Sequence, residues 1–218
     1  MTKIVVVHTG PVTVEPLKAQ FAEQLPGDRV INIVDDSLLA DVRAAGRLTP
    51  EVTARLYAYM SSAQGMGADI ILNACSSVGE ATDLLRGLIR TPIVKVDESM
   101  AEEASALGAR VGVVATVSTT LEPTVRLIRS KAAEHGRQVD VTECIAQGAF
   151  EALLAGDAGR HDDIVKRAII ELADQVDVIV LAQVSMARLV PALSLAVPVL
   201  SSPQSGVAAV KRALANIA

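Results

Sequence analysis

The sequence predicts an α/β fold of two pseudo-symmetric lobes, each a four-stranded, mostly parallel sheet flanked by helices, with an active-site cleft between them. Three observations predict it. Short apolar runs rich in β-branched residues alternate with segments of helical periodicity, the signature of βα units. Half of the 218 residues are hydrophobic but only 2% are aromatic and Trp is absent, so the core must be built from Val, Ile, Leu and Ala, as in a parallel sheet buried under Ala-rich helices. The second half of the chain also repeats the first: GADIILNACSSVGEATDLL corresponds to QVDVIVLAQVSMARLVPAL, and RTPIVKVDES to AVPVLSSPQS, each of the latter pair opening a strand on Pro.

Taken in order, the first-half strands are expected at Lys3–His8, Arg29–Val34, Asp69–Ala74 and Pro92–Val96. Those of the second half are expected at Arg110–Ala115, Gln138–Ile145, Val176–Ala182 and Val197–Leu200. Helical stretches stand between them, notably Leu121–Glu134, Gly148–Leu154 and Asp162–Asp174. No low-complexity linker divides the halves. The expected division is residues 1–98 with 204–218 as one lobe and 99–203 as the other.

Charge and cysteine content exclude several functions. The formal net charge is -5 and the Lys and Arg residues are scattered, which leaves no footprint for a phosphodiester backbone, so nucleic acid is rejected as a partner. The two cysteines, Cys75 and Cys144, lie far apart with neither CxxC nor Cys/His spacing, so no metal site and no disulfide framework is expected. The opening MTKIVVVHTGPVTVEP is too short in its apolar run for a signal segment, and no stretch approaches a membrane span; a cytoplasmic enzyme or binding protein is expected. No glycine-rich phosphate loop follows any strand, so no nucleotide cofactor is indicated.

In open parallel sheets ligands bind beyond the carboxyl ends of the strands. Those ends read His8-Thr9-Gly10-Pro11, Cys75-Ser76-Ser77, Asp97-Glu98-Ser99, Thr116 to Thr120, and Gln183-Val184-Ser185. Cys75 falls where a strand gives way to a helical pattern, a place where backbone N–H groups favour a thiolate that can act as base or nucleophile; a small buried strand residue is the other reading. Ser76 and Ser77 can cap that helix and, with backbone donors, hold a carboxylate or an enolate oxygen. Thr116 and Thr119 offer a second anion cradle, with plain helix capping as the alternative. Thr9 and Ser185 complete the candidate substrate ligands. His8 is a possible proton carrier or a buried structural imidazole. For Cys144, inside a strand pattern, the buried reading is favoured.

The motifs NACSSVGE, VATVSTT and VIVLAQVSMARL, on the duplicated plan, resemble the aspartate/glutamate/hydantoin racemase superfamily over essentially the whole chain. That resemblance implies cofactor-free chemistry in which two cysteines, one per lobe, act on opposite sides of the carbon next to a carboxylate. It also implies that the helices near Met100–Leu107 and Val207–Leu214 cross to the opposite lobe, and that the protein is a homodimer or larger homo-oligomer acting on a small carboxylate. Cys75 takes the first-lobe position. The second-lobe place, where the pattern has cysteine, reads Leu181-Ala182-Gln183, and an amide does not exchange a proton near neutral pH. Three readings follow: a racemase with another second acid, a one-thiol enzyme of the maleate-isomerase or decarboxylase kind with Gln183 as hydrogen-bond donor, and a carboxylate-binding protein without turnover.

Overall fold

The apolar runs pair as two sheets of the same plan. The structure is a computed structural model that describes residues 1–217. The first half forms strands β1 (Lys3–His8), β2 (Arg29–Val34), β3 (Ile70–Asn73) and β4 (Ile93–Lys95) in the order β2-β1-β3-β4. The second forms β5 (Arg110–Ala115), β6 (Asp140–Ile145), β7 (Val178–Leu181) and β8 (Val199–Ser201) in the order β6-β5-β7-β8. Among the described residues every strand pairing is parallel, where the sequence predicts mostly parallel sheets.

The helices are α1 (Val14–Gln24), α2 (Ser37–Ala45), α3 (Pro50–Gly65), α4 (Gly79–Leu85), α5 (Glu98–Leu107), α6 (Ser118–Glu134), α7 (Ala149–Leu154), α8 (Ala158–Ala173) and α9 (Ser202–Ala215). Single 3-10 turns precede α1 and α4, and a longer 3-10 segment, Val184–Ala192, follows β7. The chain separates into two compact units, Met1–Val96 with the segment from Pro203 onward, and Asp97–Ser202.

In the first unit one sheet face, carrying Val5, Val7, Ile71 and Ile93, is packed by Leu38 and Val42 of α2, Leu56 and Met60 of α3, and Ala81 and Leu85 of α4. The alternate residues Ile4, Val6, Ile70 and Leu72 are also fully buried, so the sheet is covered on both faces. Gly206 of α9 lies against β4's exit: a Cβ there would stand 2.5 Å from the Val96 carbonyl oxygen, so only glycine permits this approach. In the second unit Val111, Val113, Val178 and Val180 pack on α5 and α6, while Val114, Ile179 and Leu181 pack on α8 and the 3-10 segment.

Several element starts differ from the sequence expectation: β3, β4, β6, β7, β8 and α7 begin one or two residues later, α6 begins earlier, and α8 begins at Ala158 rather than Asp162. Helix α6 begins at Ser118, not Leu121, so Ser118, Thr119 and Thr120 are its first turn; Thr124 Oγ1 donates to the Thr120 carbonyl at 2.9 Å in the turn disturbed by Pro123. Strand β6 begins at Asp140, not Gln138, where Arg110 first finds a ladder partner.

The exit of β2 is fixed by one carboxylate. Asp35 accepts from the Ser37 N–H at 3.1 Å, the Ser37 hydroxyl at 2.7 Å, the Tyr59 hydroxyl at 2.5 Å and the Arg55 guanidinium. Burial alone would raise its pKa, but these donors win and hold it at about 2. Because the folded value lies below the ordinary carboxylate value, the network contributes stability above about pH 4 and loses it as pH falls toward 2. Asp35→Asn is expected to cost on the order of 1–2 kcal/mol at pH 7, measured by urea denaturation, with the difference from wild type closing as pH falls from about 4 to 2.

Candidate active site at the carboxyl ends of the strands

Strand register matches the two units residue by residue. Val7 pairs Asn73 and Asn73 pairs Lys95 in the first sheet; Val114 pairs Leu181 and Leu181 pairs Ser201 in the second. Counting on two residues from β1 and β3, and from β5 and β7, Thr9 corresponds to Thr116 and Cys75 to Gln183. Lys95 corresponds to Ser201. The duplication is therefore an alignment of strand ends, with the chemistry changed at the positions that matter.

Cys75 leaves β3 in extended conformation, half-buried, and packs against the core face beneath α4. Its carbonyl accepts from the Asn73 side-chain amide at 3.0 Å and, at 3.4 Å, from the Val78 N–H. These contacts fix the turn that carries the thiol. Ser76 and Ser77 are buried in the 3-10 turn directly after it, and Thr9 is buried at the end of the neighbouring β1. The structure thus brings Thr9, Cys75, Ser76 and Ser77 to one end of the first sheet. The helix that follows, α4, has only 7 residues, so its dipole is a modest source of positive potential for the thiol.

His8 has its ring completely buried, with Nδ1 2.6 Å from the Thr13 hydroxyl and Nε2 2.9 Å from Asn32 Oδ1. Burial lowers its pKa, with the Asn32 hydrogen bond opposing, so the imidazole is neutral at pH 7 and both nitrogens are engaged. It ties β1 to β2 and is not a free proton carrier.

In the second unit Gln183 Oε1 accepts from the Thr116 backbone N–H at 2.7 Å and from the Thr116 hydroxyl at 2.9 Å. A backbone N–H can only donate, so the amide oxygen must face Thr116 and the Nε2 donors face away from it. Both Thr116 donors are spent on this contact. Thr119, in the first turn of α6, has its hydroxyl oxygen buried with no protein partner, and Ser185 is buried in the first turn of the 3-10 segment. At the entrance to α5, Glu98 is engaged by Lys131 at 3.1 Å and Asp97 is buried.

Three features here were not expected. Arg188 reaches back from the 3-10 segment to the Ser185 carbonyl and to Asp162, and His161, fully buried beside them, sets Nδ1 2.7 Å from Asp162 Oδ1. Burial would raise the Asp162 pKa, but the His161 and Arg188 contacts lower it. Nothing in a helical run announces this cluster, because its partner lies 26 residues on. Asn73 and Lys95 were not singled out from the sequence either, although each leaves a local signal as a polar residue at the end of an apolar strand, ILN and IVK.

Cys144 is the penultimate residue of the edge strand β6, half-buried over a groove shared with Gln147, Arg160, Arg167 and Glu171. Burial pushes its thiol pKa up and Glu171 adds to the effect. Among the described residues no group of three or more His, Cys, Asp or Glu side chains could hold a metal ion, and no helix is long and apolar enough to cross a membrane.

The profile of the Asp/Glu/Hydantoin racemase family matches residues 6–210. The chain belongs to that family. The resemblance read from its strand-end motifs holds, and with it the expectation of a racemase-like isomerase. No curated protein sequence matches the chain. Among solved structures it is similar to the glutamate racemase isoform RacE1 of Bacillus anthracis, at 18% identity and TM-score 0.78 over 99% of this chain and 82% of that one. An allantoin racemase from Klebsiella pneumoniae aligns at 18% identity and TM-score 0.73, over 99% and 89% of the two chains. An aspartate racemase from Picrophilus torridus aligns at 12% and 0.72, over 99% and 95%. At these identities the likeness establishes the fold and leaves the substrate open.

The two thiols should separate by reactivity. In iodoacetamide labelling followed by peptide mass spectrometry, Cys75 is expected to react first near pH 7. Cys144 should follow only above the ordinary thiol range, and Glu171→Gln should bring its onset down. A Cys144 that labels as fast as Cys75 at neutral pH would contradict this assignment.

Proposed function

We propose that the protein is a cofactor-independent racemase in which Cys75, as thiolate, removes or returns the proton on the carbon next to the carboxylate of a small amino acid or related acid. What supports the reading most is the placement of a half-buried thiol at the exit of β3 in a chain of the racemase family. Taking a proton from such a carbon leaves an enolate, and its oxygen must be stabilised as charge develops. Hydroxyl and N–H donors at Ser76 and Ser77 suit that task, as does the otherwise unpartnered Thr119 hydroxyl. Thr9 and Ser185 belong to the same proposal as substrate ligands. Thr116 acts in it through Gln183, which it orients.

Gln183 gives weight to a second reading. Its carboxamide does not titrate, and with the oxygen held by Thr116 it has hydrogen-bond donors left to give and no proton to transfer. A one-thiol isomerase or decarboxylase would use it in that way, with Cys75 adding to the substrate or protonating it.

Wild type and Cys75→Ala are to be compared by chiral chromatography on glutamate, aspartate, hydantoins, maleate and substituted malonates. Racemisation lost by about a thousandfold or more in Cys75→Ala is the expected result. Conversion of maleate or release of CO₂ supports the one-thiol reading, and binding without turnover, unchanged in Cys75→Ala, would refute both enzyme readings for these compounds. A cytoplasmic homodimer or larger homo-oligomer is part of the proposal, and a monomeric mass in sedimentation would overturn that part.

A further inference from the structure

Lys95 is a charged residue in a place that burial makes costly. It is the last residue of β4 and only 4% exposed. It pairs in register with Asn73, which lies two residues before Cys75, and the Val96 N–H donates to the Asn73 carbonyl at 3.0 Å. Ile71 and Ile93 both belong to the core face beneath α4, and alternation puts Asn73, Cys75 and Lys95 on that same face. From there the lysine stem crosses the first residue of α4, its Cδ 3.7 Å from where a Cβ on Gly79 would stand, and Nζ meets Asp83 at 2.7 Å. Asp83 is shared with Arg86, at 3.3 Å, so Lys95, Asp83 and Arg86 together carry one net positive charge. The side chain of Asp83 is 47% exposed and that of Lys95 5%, so water screens the carboxylate more than the ammonium. The duplicated unit lacks the whole arrangement: where the first has Cys75, Gly79, Asp83 and Lys95, the second has Gln183, Ala187, Pro191 and Ser201. A buried lysine accompanies the thiol and is missing beside the amide.

We propose that Lys95 is a positioning residue for Cys75, its buried ammonium braced by Asp83 across the first turn of α4 and biasing the neighbouring thiol toward the thiolate. The proposal rests on the reading of Cys75 as an acid/base and supplies the charge that a 7-residue helix gives only weakly. Other charged or titratable groups of this unit near the turn are Glu80, Asp83 and Arg86 on α4 and the neutral His8 on β1. Lys95 is buried, whereas the other cation of the group, Arg86, has a side chain 34% exposed. A single unit charge buried near a thiol, at an effective dielectric constant of about 20–40, moves its titration by on the order of half to one pH unit.

The test is the pH profile of Cys75 alkylation in Lys95→Met, Lys95→Gln and Lys95→Arg, with Cys144 in the same molecule as reference. The midpoint is expected to rise by about half a pH unit or more in the Met and Gln variants and to stay near wild type in Arg, with Cys144 unmoved. Lys95→Gln keeps a polar hydrogen-bond donor on the side chain without the charge, so it serves as the neutral variant if Lys95→Met fails to fold. An unmoved midpoint in the neutral variants, or an equal rise in Lys95→Arg, overturns the proposal. A wild-type Cys75 with an ordinary thiol midpoint and no turnover would instead sink the acid/base reading on which it rests.

Discussion

Parallel pairing is the constraint on which the rest depends. When every strand of a sheet runs the same way, every carboxyl end falls on one edge, and the backbone groups beyond the ladder must be satisfied by turns, caps or ligands. The register makes this specific: Val7, Asn73 and Lys95 stand side by side across the first sheet, so the residues that follow them emerge together. Thr9 and Cys75 are neighbours for that reason, although 66 positions separate them in sequence. The same ladder in the second unit sets Gln183 beside Thr116, where the two close a bidentate contact.

The duplicated units show how one plan is put to two uses. The apolar strand positions are interchangeable, since Val, Ile and Leu fill either sheet at the same depth. The strand ends are not. In the first unit the turn after β3 carries a thiol and two buried serines, with a buried lysine at the end of the neighbouring β4; in the second the corresponding turn carries an amide locked by its neighbour. A neutral, oriented amide and a thiol differ in kind: one donates hydrogen bonds at any pH near neutrality, the other exchanges a proton. The asymmetry is one of side-chain chemistry at matched positions, a thiol in one unit and an oriented amide in the other.

Much of this was legible in the sequence because it is written in local periodicity. The runs KIVVVH and RVGVVA are continuous and β-branched, as doubly covered parallel strands must be, and the matched Pro before the fourth strand of each half exposed the repeat. Cys75 could be found because an apolar run stopped at it. The start of α6 was misjudged because Ser118, Thr119 and Thr120 read as caps, whereas Val117, not one of the hydroxyl residues, holds the cap position. The engagement of Thr116 by Gln183, and the pairing of Arg188 with His161 and Asp162, depend on register and on helix packing between residues far apart, and no short window contains that information. Lys95 lay between the two cases: IVKV shows a charge in a buried strand, but what the charge faces is known only once α4 is laid over it.

The central claim is that Cys75 handles the proton on the carbon next to a carboxylate. It is tested most directly by incubating the enzyme in D₂O with the acid it turns over and following the signal of that proton by NMR. The account predicts that solvent deuterium replaces it in wild type and that the replacement stops in Cys75→Ala while the acid still binds. Exchange that continues at the wild-type rate in Cys75→Ala would contradict it.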